Sequence, residues 1–231
     1  MSRLRQDSFD APDRDVALLR LLQLFDSQFP VGAFAQSGGL ETYAAIGGAL
    51  PELQQILHAQ LDLGWGRSEL AAAYLAWQAA SSTGMAEAVA ALARTLDAVK
   101  VVPSAREMSI GLGRRTLGLV GRLYPDVLFD VARPHHALVI GVVGWRLGVE
   151  DRDLLIAFAQ SLAMGTLTAA MRCMPVSPTQ AQGLLVEAHP RIIRAVARAI
   201  EDPEASLFTC TPALDIRSWQ QAHLHTRLFQ S

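Results

Sequence analysis

Ser37 stands in Ala35-Gln36-Ser37-Gly38-Gly39, a serine beside glycines, which is the setting of an activated hydroxyl in some acyl-transfer enzymes. A G-x-S-x-G elbow needs glycine two residues before the serine and a strand running into the turn. Ala35 holds that first position and no strand is predicted, so Ser37 reads as a helix N-cap. Glu41 has no second carboxylate at hand for acid–base work and reads as a first-turn helix residue or an interface charge. His135-His136 and His223-x-His225 have the donor types of a metal site. Neighbouring histidines on a helix point about 100° apart, and an i, i+2 pair chelates well only on extended backbone. Neither group has a cysteine or carboxylate at ligand spacing. Cys173 and Cys210 lie far apart, form no zinc pattern, and read as small buried hydrophobes in a reduced compartment. No Walker A sequence and no strand-borne G-x-G-x-x-G occurs. The expectation is a chain with no catalytic residues, no cofactor and no metal of its own, His223 and His225 being the weak metal candidates.

Composition points the same way. The chain has 231 residues, 51% hydrophobic and 18% charged, which excludes a disordered polymer and implies more apolar surface than one small monomer hides. A formal net charge of −2 gives no reason to expect nucleic acid or an anionic membrane as partner. Lys100 is the single lysine; the other basic residues are arginines. The first residues are polar and mixed in charge, without a signal-peptide core, and no uninterrupted apolar run has bilayer length. The chain reads as cytoplasmic.

The elements that carry these residues are helical by pattern, and no segment alternates with period two. Residues 1–14 are expected to form a flexible arm, residues 15–202 one all-helical domain of about eight to ten helices, and residues 203–231 a C-terminal tail. Asp15 is placed as the cap of a first helix with Leu18, Leu21, Leu22 and Phe25 inward. A helix from Gly38 ends at Gly47-Gly48, Pro51 opens the next, and an alanine-rich helix runs from Ser68 to Ala80. After the turn at 81–84, Met85, Val89, Leu92, Leu96 and Val99 form a seam. Ser104 with Glu107 has the form of a capping box for a glycine-rich helix, predicted to be central because several glycines make sense where backbones touch. Pro134, Asp151 or Asp153, Pro178 and Pro190 are read as the openings of four further helices.

One stretch is anomalous. Phe29-Pro30-Val31-Gly32-Ala33-Phe34-Ala35-Gln36-Ser37-Gly38-Gly39-Leu40-Glu41 is a loop with unusual apolar content, and the chain ends on Arg227-Leu228-Phe229 where termini are normally polar. The first stretch resembles the signature of the UreF family of urease accessory proteins. Arg106-Glu107-Met108-Ser109 with Gly113-Arg114-Arg115, Pro175 through Gln182, and Leu214-Asp215-Ile216 leading to Arg227-Leu228-Phe229-Gln230-Ser231 agree with that family in order and spacing. The resemblance implies an all-helical, non-enzymatic scaffold in nickel insertion into apo-urease. It implies binding of the UreD/UreH accessory protein, recruitment and modulation of the UreG GTPase, nickel handled by those partners, and a homodimer. It suggests a partner-binding set of Phe29, Pro30, Gly32, Phe34, Ser37, Gly39, Leu40, Glu41, Arg106, Glu107, Arg114, Arg115, Gln182, Leu214, Asp215, Ile216, Arg227, Leu228 and Phe229. Gln221-Ala222 stand where the family often has His-Glu. The alternative is a direct nickel-binding chaperone that uses His223 and His225.

Overall fold

The structure, a computed structural model, describes residues 11–32 and 38–221. Among them the chain makes ten α-helices and no strand: α1 (Ala11–Leu24), α2 (Leu40–Ala45), α3 (Leu50–Leu63), α4 (Trp65–Ala79), α5 (Met85–Val99), α6 (Pro103–Leu123), α7 (His136–Arg146), α8 (Asp151–Cys173), α9 (Pro178–Glu201) and α10 (Pro212–Gln220). A single 3-10 turn at Pro125–Val127 links α6 to α7.

The centre is α7. Every residue from His136 to Gly144 is buried, so this short helix is apolar all round, as a fully enclosed helix must be. Its closest partner is α4, whose Ala71, Ala72, Ala73 and Ala76 are solvent-free. Gly141 completes the fit: a Cβ there would lie 2.2 Å from the Ala73 carbonyl oxygen. The glycine-rich α6, expected at the centre, lies outside this pair. Gly113 touches the backbone of Pro134 and His135, but nothing comes within 4 Å of a Cβ built on Gly118. Glycine marks close approach at some positions of α6 and open solvent at others.

Several boundaries differ from the pattern. α1 begins at Ala11, so Asp15 lies inside the helix. On α1, Leu21 and Leu24 are buried while Leu18 and Leu22 are exposed. The leucine stripe is wider than the face the core covers. α4 starts at Trp65, since Gly64 ends α3 and begins α4, and Gly66 slides over Leu61 where any Cβ would clash. Ser104 is inside α6, which starts from Val102 with Pro103 in its first turn, and makes no capping box. The reciprocal box is instead at Ser177: its hydroxyl accepts from the Gln180 amide at 3.2 Å, and the Gln180 side-chain oxygen accepts from the Ser177 amide at 2.9 Å.

Pro190 does not open a helix; α9 passes through it. The carbonyl that loses its donor is that of Val186, which is 63% exposed, so water can replace the missing bond. α8 is long and apolar enough to cross a membrane by length and composition, contrary to the sequence expectation, yet it packs on α9, α4, α2 and α7 within this fold. Cys210 is exposed rather than buried. Its amide donates to the Leu63 carbonyl at 2.8 Å and ties the segment after α9 back to α3.

Candidate functional site

The anomalous loop and the C-terminal helix meet. Gly39 precedes α2 with φ +92°, a left-handed conformation natural to glycine, and a Cβ there would lie 2.9 Å from the Ser218 amide nitrogen of α10. Gln221, just past α10 and nearly solvent-free, bridges the two segments. Its side-chain oxygen accepts from the Gly39 amide at 3.0 Å and its Nε2 donates to Glu41 Oε2 at 2.6 Å. Thr42 donates to the Arg217 carbonyl at 2.9 Å, and the Arg217 guanidinium lies 5.6 Å from the Tyr43 ring centre. Leu40 and Leu214 are buried beside this seam. Burial alone raises the Asp215 carboxyl above its ordinary value.

On the other side of the loop, Arg115 donates through Nε to the Val31 carbonyl at 2.7 Å and passes within 4 Å of the space beside Gly32. Val31 is buried and Phe29 packs partly against the core, whereas Pro30 and Gly32 are exposed. The loop is therefore pinned from α6 at its start and from α10 at its end. Arg114 and Glu107 are exposed on α6. Gln182, on α9, contacts Met164 of α8 and belongs to neither anchor. Phe34, Ser37, Arg227, Leu228 and Phe229, with His223 and His225, lie outside the described residues.

The sequence singled out Gln221 only as a departure from a pattern; it is the residue that couples the two blocks. Trp219 was not singled out at all. It is 62% exposed and shares a face of α10 with Ile216, 57% exposed, three residues earlier. An apolar pair at i, i+3 in a polar segment was the available signal. Once α10 is seen docked by its Leu214 side, that pair becomes its outward display.

Arg106 belongs to a separate polar cluster. It donates to the Asp97 carbonyl at 3.2 Å. The Asp97 carboxylate takes Arg133 at 2.5 Å and His135 Nε2 at 3.1 Å. The Arg133 bond first, then the His135 bond, holds that carboxyl below its usual range. His135 Nδ1 meets Ser109 at 3.1 Å, while His136 turns its ring edge to Phe158. His135 is the N-cap of α7 and His136 its first residue, so the two rings enter different surroundings. Glu69 pairs with Lys100. Burial pushes the Glu69 carboxyl up, but the charge and hydrogen bond of Lys100 carry it below its ordinary value. Among the described residues no group of three or more potential ligands converges as a metal site would require.

The UreF family model matches residues 51–189, more than half of the chain. A urease accessory protein UreF from a Nostoc species is 31% identical over 94% of this chain and 97% of its own length. The namesake from Haemophilus influenzae is 29% identical over 91% of this chain and 94% of its own. That from Actinobacillus pleuropneumoniae is 28% identical, over 91% and 97%.

Proposed function

Since this chain belongs to the UreF family of urease accessory proteins, we propose that it is a cytoplasmic scaffold which promotes nickel insertion into apo-urease together with UreD/UreH and the UreG GTPase, by modulating the GTPase. As an accessory protein it is not an enzyme, and nickel is cargo carried by its partners. The observation that carries the reading is the outward Ile216–Trp219 face of α10, braced on α2 through Gly39, Gln221 and Glu41. Exposed tryptophan on a rigid support is the residue type most enriched among interface hot spots. Residues already spent inside the chain, such as Leu40, Glu41 and Leu214, support that face from beneath; Pro30, Glu107 and Arg114 lie on the outside.

The test replaces the exposed pair itself, Ile216→Ser together with Trp219→Ala, because a cut before α10 would also remove buried Leu214 and the seam with it. Helical circular dichroism is expected to be unchanged. Capture of purified UreD/UreH should weaken by roughly thirtyfold or more, the scale of a lost hot-spot anchor. Urease from cells relying on the doubly substituted chain should be assembled but poor in nickel. Full capture with normally metallated urease would overturn the reading.

The homodimer has its own candidate surface. Leu21 and Leu22 of α1, with Phe25 in the turn just after it, face Ala157, Met164 and Thr168 of α8 across an apolar groove of about 460 Å³. Val16, Leu18, Leu19 and Leu22 leave an exposed apolar strip on α1 beside it. Such a strip favours covering by another surface. Leu22→Glu is expected to give a monomer by light scattering with unaltered helical circular dichroism, since Leu22 is exposed in the single chain. A persistent dimer would exclude α1 from the interface.

A further inference from the structure

Four arginines gather where α3 ends, α4 begins and α9 crosses both. Arg191, Arg194 and Arg198 lie on one face of α9 at i, i+3 and i+7. Arg191 pairs with Asp62, and Arg198 Nη2 lies 3.8 Å from the other oxygen of the same carboxylate. Arg198 also donates to the Leu61 carbonyl at 3.0 Å. Arg67 donates to the Asp62 carbonyl at 3.0 Å and lays its guanidinium 4.9 Å above the Phe208 ring centre. Arg194 is exposed at the edge of the group.

The cluster is over-supplied with positive charge. Asp62 serves two of the guanidiniums, and Glu187, a turn away, accepts from Gln54. Burial first, then the charges of Arg67 and Arg194, oppose the Arg198 cation, and Asp62 only partly relieves it. Arg198 Nε is buried without a hydrogen-bond acceptor among the described residues. Arg191 pairs with Asp62, and Arg198 and Arg67 cap the Leu61 and Asp62 carbonyls in the last turn of α3. Carbonyl caps neutralise no charge, so four guanidiniums around this one carboxylate keep an excess of positive charge on a chain whose formal charge is −2. Leu63, 41% exposed, and Phe208, 38% exposed, set apolar surface against it. Arginine forks suit carboxylates, and arginine beside aromatic and aliphatic surface is the composition of protein interfaces rather than of a phosphate track.

We propose that Arg67, Arg191, Arg194 and Arg198, with Leu63 and Phe208, form a docking surface for an acidic, partly apolar segment of a partner protein. It is a separate face from the α10 display and does not depend on the role assigned there. The charged groups draw carboxylates in and fix their register, and the two apolar side chains give the contact its dry part.

The probe is a short fluorescein-labelled synthetic peptide alternating glutamate with leucine and phenylalanine, read by fluorescence anisotropy on the full chain. Binding is expected to weaken as salt rises, and Arg194→Glu should weaken it roughly tenfold or more at low salt. Arg194 is exposed, so circular dichroism should stay unchanged; Arg67→Gln serves as the second variant and should lower affinity in the same direction. Equal binding by wild type and both variants would overturn the proposal. So would a single-stranded DNA oligonucleotide, or vesicles containing phosphatidylserine, binding as tightly as the peptide.

Discussion

Gly141→Ala is expected to cost the protein about 3 kcal/mol or more of stability, while the chemically identical Gly118→Ala should stabilise it by roughly 0.5–1 kcal/mol. Both glycines are helical, and in isolation each replacement improves helix propensity. Their surroundings decide the sign. At Gly141 the new methyl would lie 2.2 Å from the Ala73 carbonyl oxygen, 2.8 Å from Ala76 Cβ and 2.9 Å from the Trp77 amide nitrogen. Two of those atoms are backbone, so relief requires moving α4 away from α7. That opens the most extensive helix–helix contact among the described residues, and the apolar burial of Leu138, Val142 and their neighbours weakens with it. At Gly118 the methyl enters open space on the exposed side of α6. Urea unfolding followed by circular dichroism checks both; equal midpoints for the two variants would contradict the packing described here.

Acid is expected to destabilise the chain well before its carboxylates protonate. His136 is held down to about 4 chiefly by burial, with Glu69 opposing and Lys100 and Arg115 assisting. His135 is lowered too, again by burial, against the pull of Asp97 and Glu69. In the unfolded chain these rings take a proton near 6.5, whereas the folded chain keeps His136 neutral until about 4. The unfolded state therefore binds more protons across that window, and stability falls as pH drops through it. For His136 the loss amounts to roughly 3 kcal/mol by pH 4. Asp97 and Glu69, both lowered, add a loss of the same sign further down, as pH falls through their own depressed values. His136→Phe keeps an aromatic edge for Phe158 and removes the proton site, so it should flatten most of the slope above about pH 4. A wild-type urea midpoint that does not move between neutral pH and that point would mean that His136 is not held neutral.

Helix content was legible because turns and caps are local. Gly47-Gly48, Gly64, the 81–84 turn and Pro178 each act within a few residues, and the helices stop or start there. Ser104 and Pro190 show the limit of local signals. Ser104 has the right partner three residues on, but Pro103 already occupies the first turn. Pro190 fails as a helix start because its lost hydrogen bond falls on a face that water reaches. Neither outcome is written in the immediate neighbours.

By itself, the sequence determined an all-helical chain without a catalytic motif, the family it belongs to, and which two stretches were too apolar for ordinary loops and tails. Only the tertiary structure decided that Gly39 and Gln221, 182 positions apart, are hydrogen-bond partners, so that the beginning and end of the pattern form one brace. It alone chose α7 over the glycine-rich α6 as the centre, and collected Arg67 from α4 with Arg191, Arg194 and Arg198 from α9. The physical reason is common to all three. Periodicity states which side of a helix avoids water, but the neighbour that covers it is set by the packing of whole helices against one another.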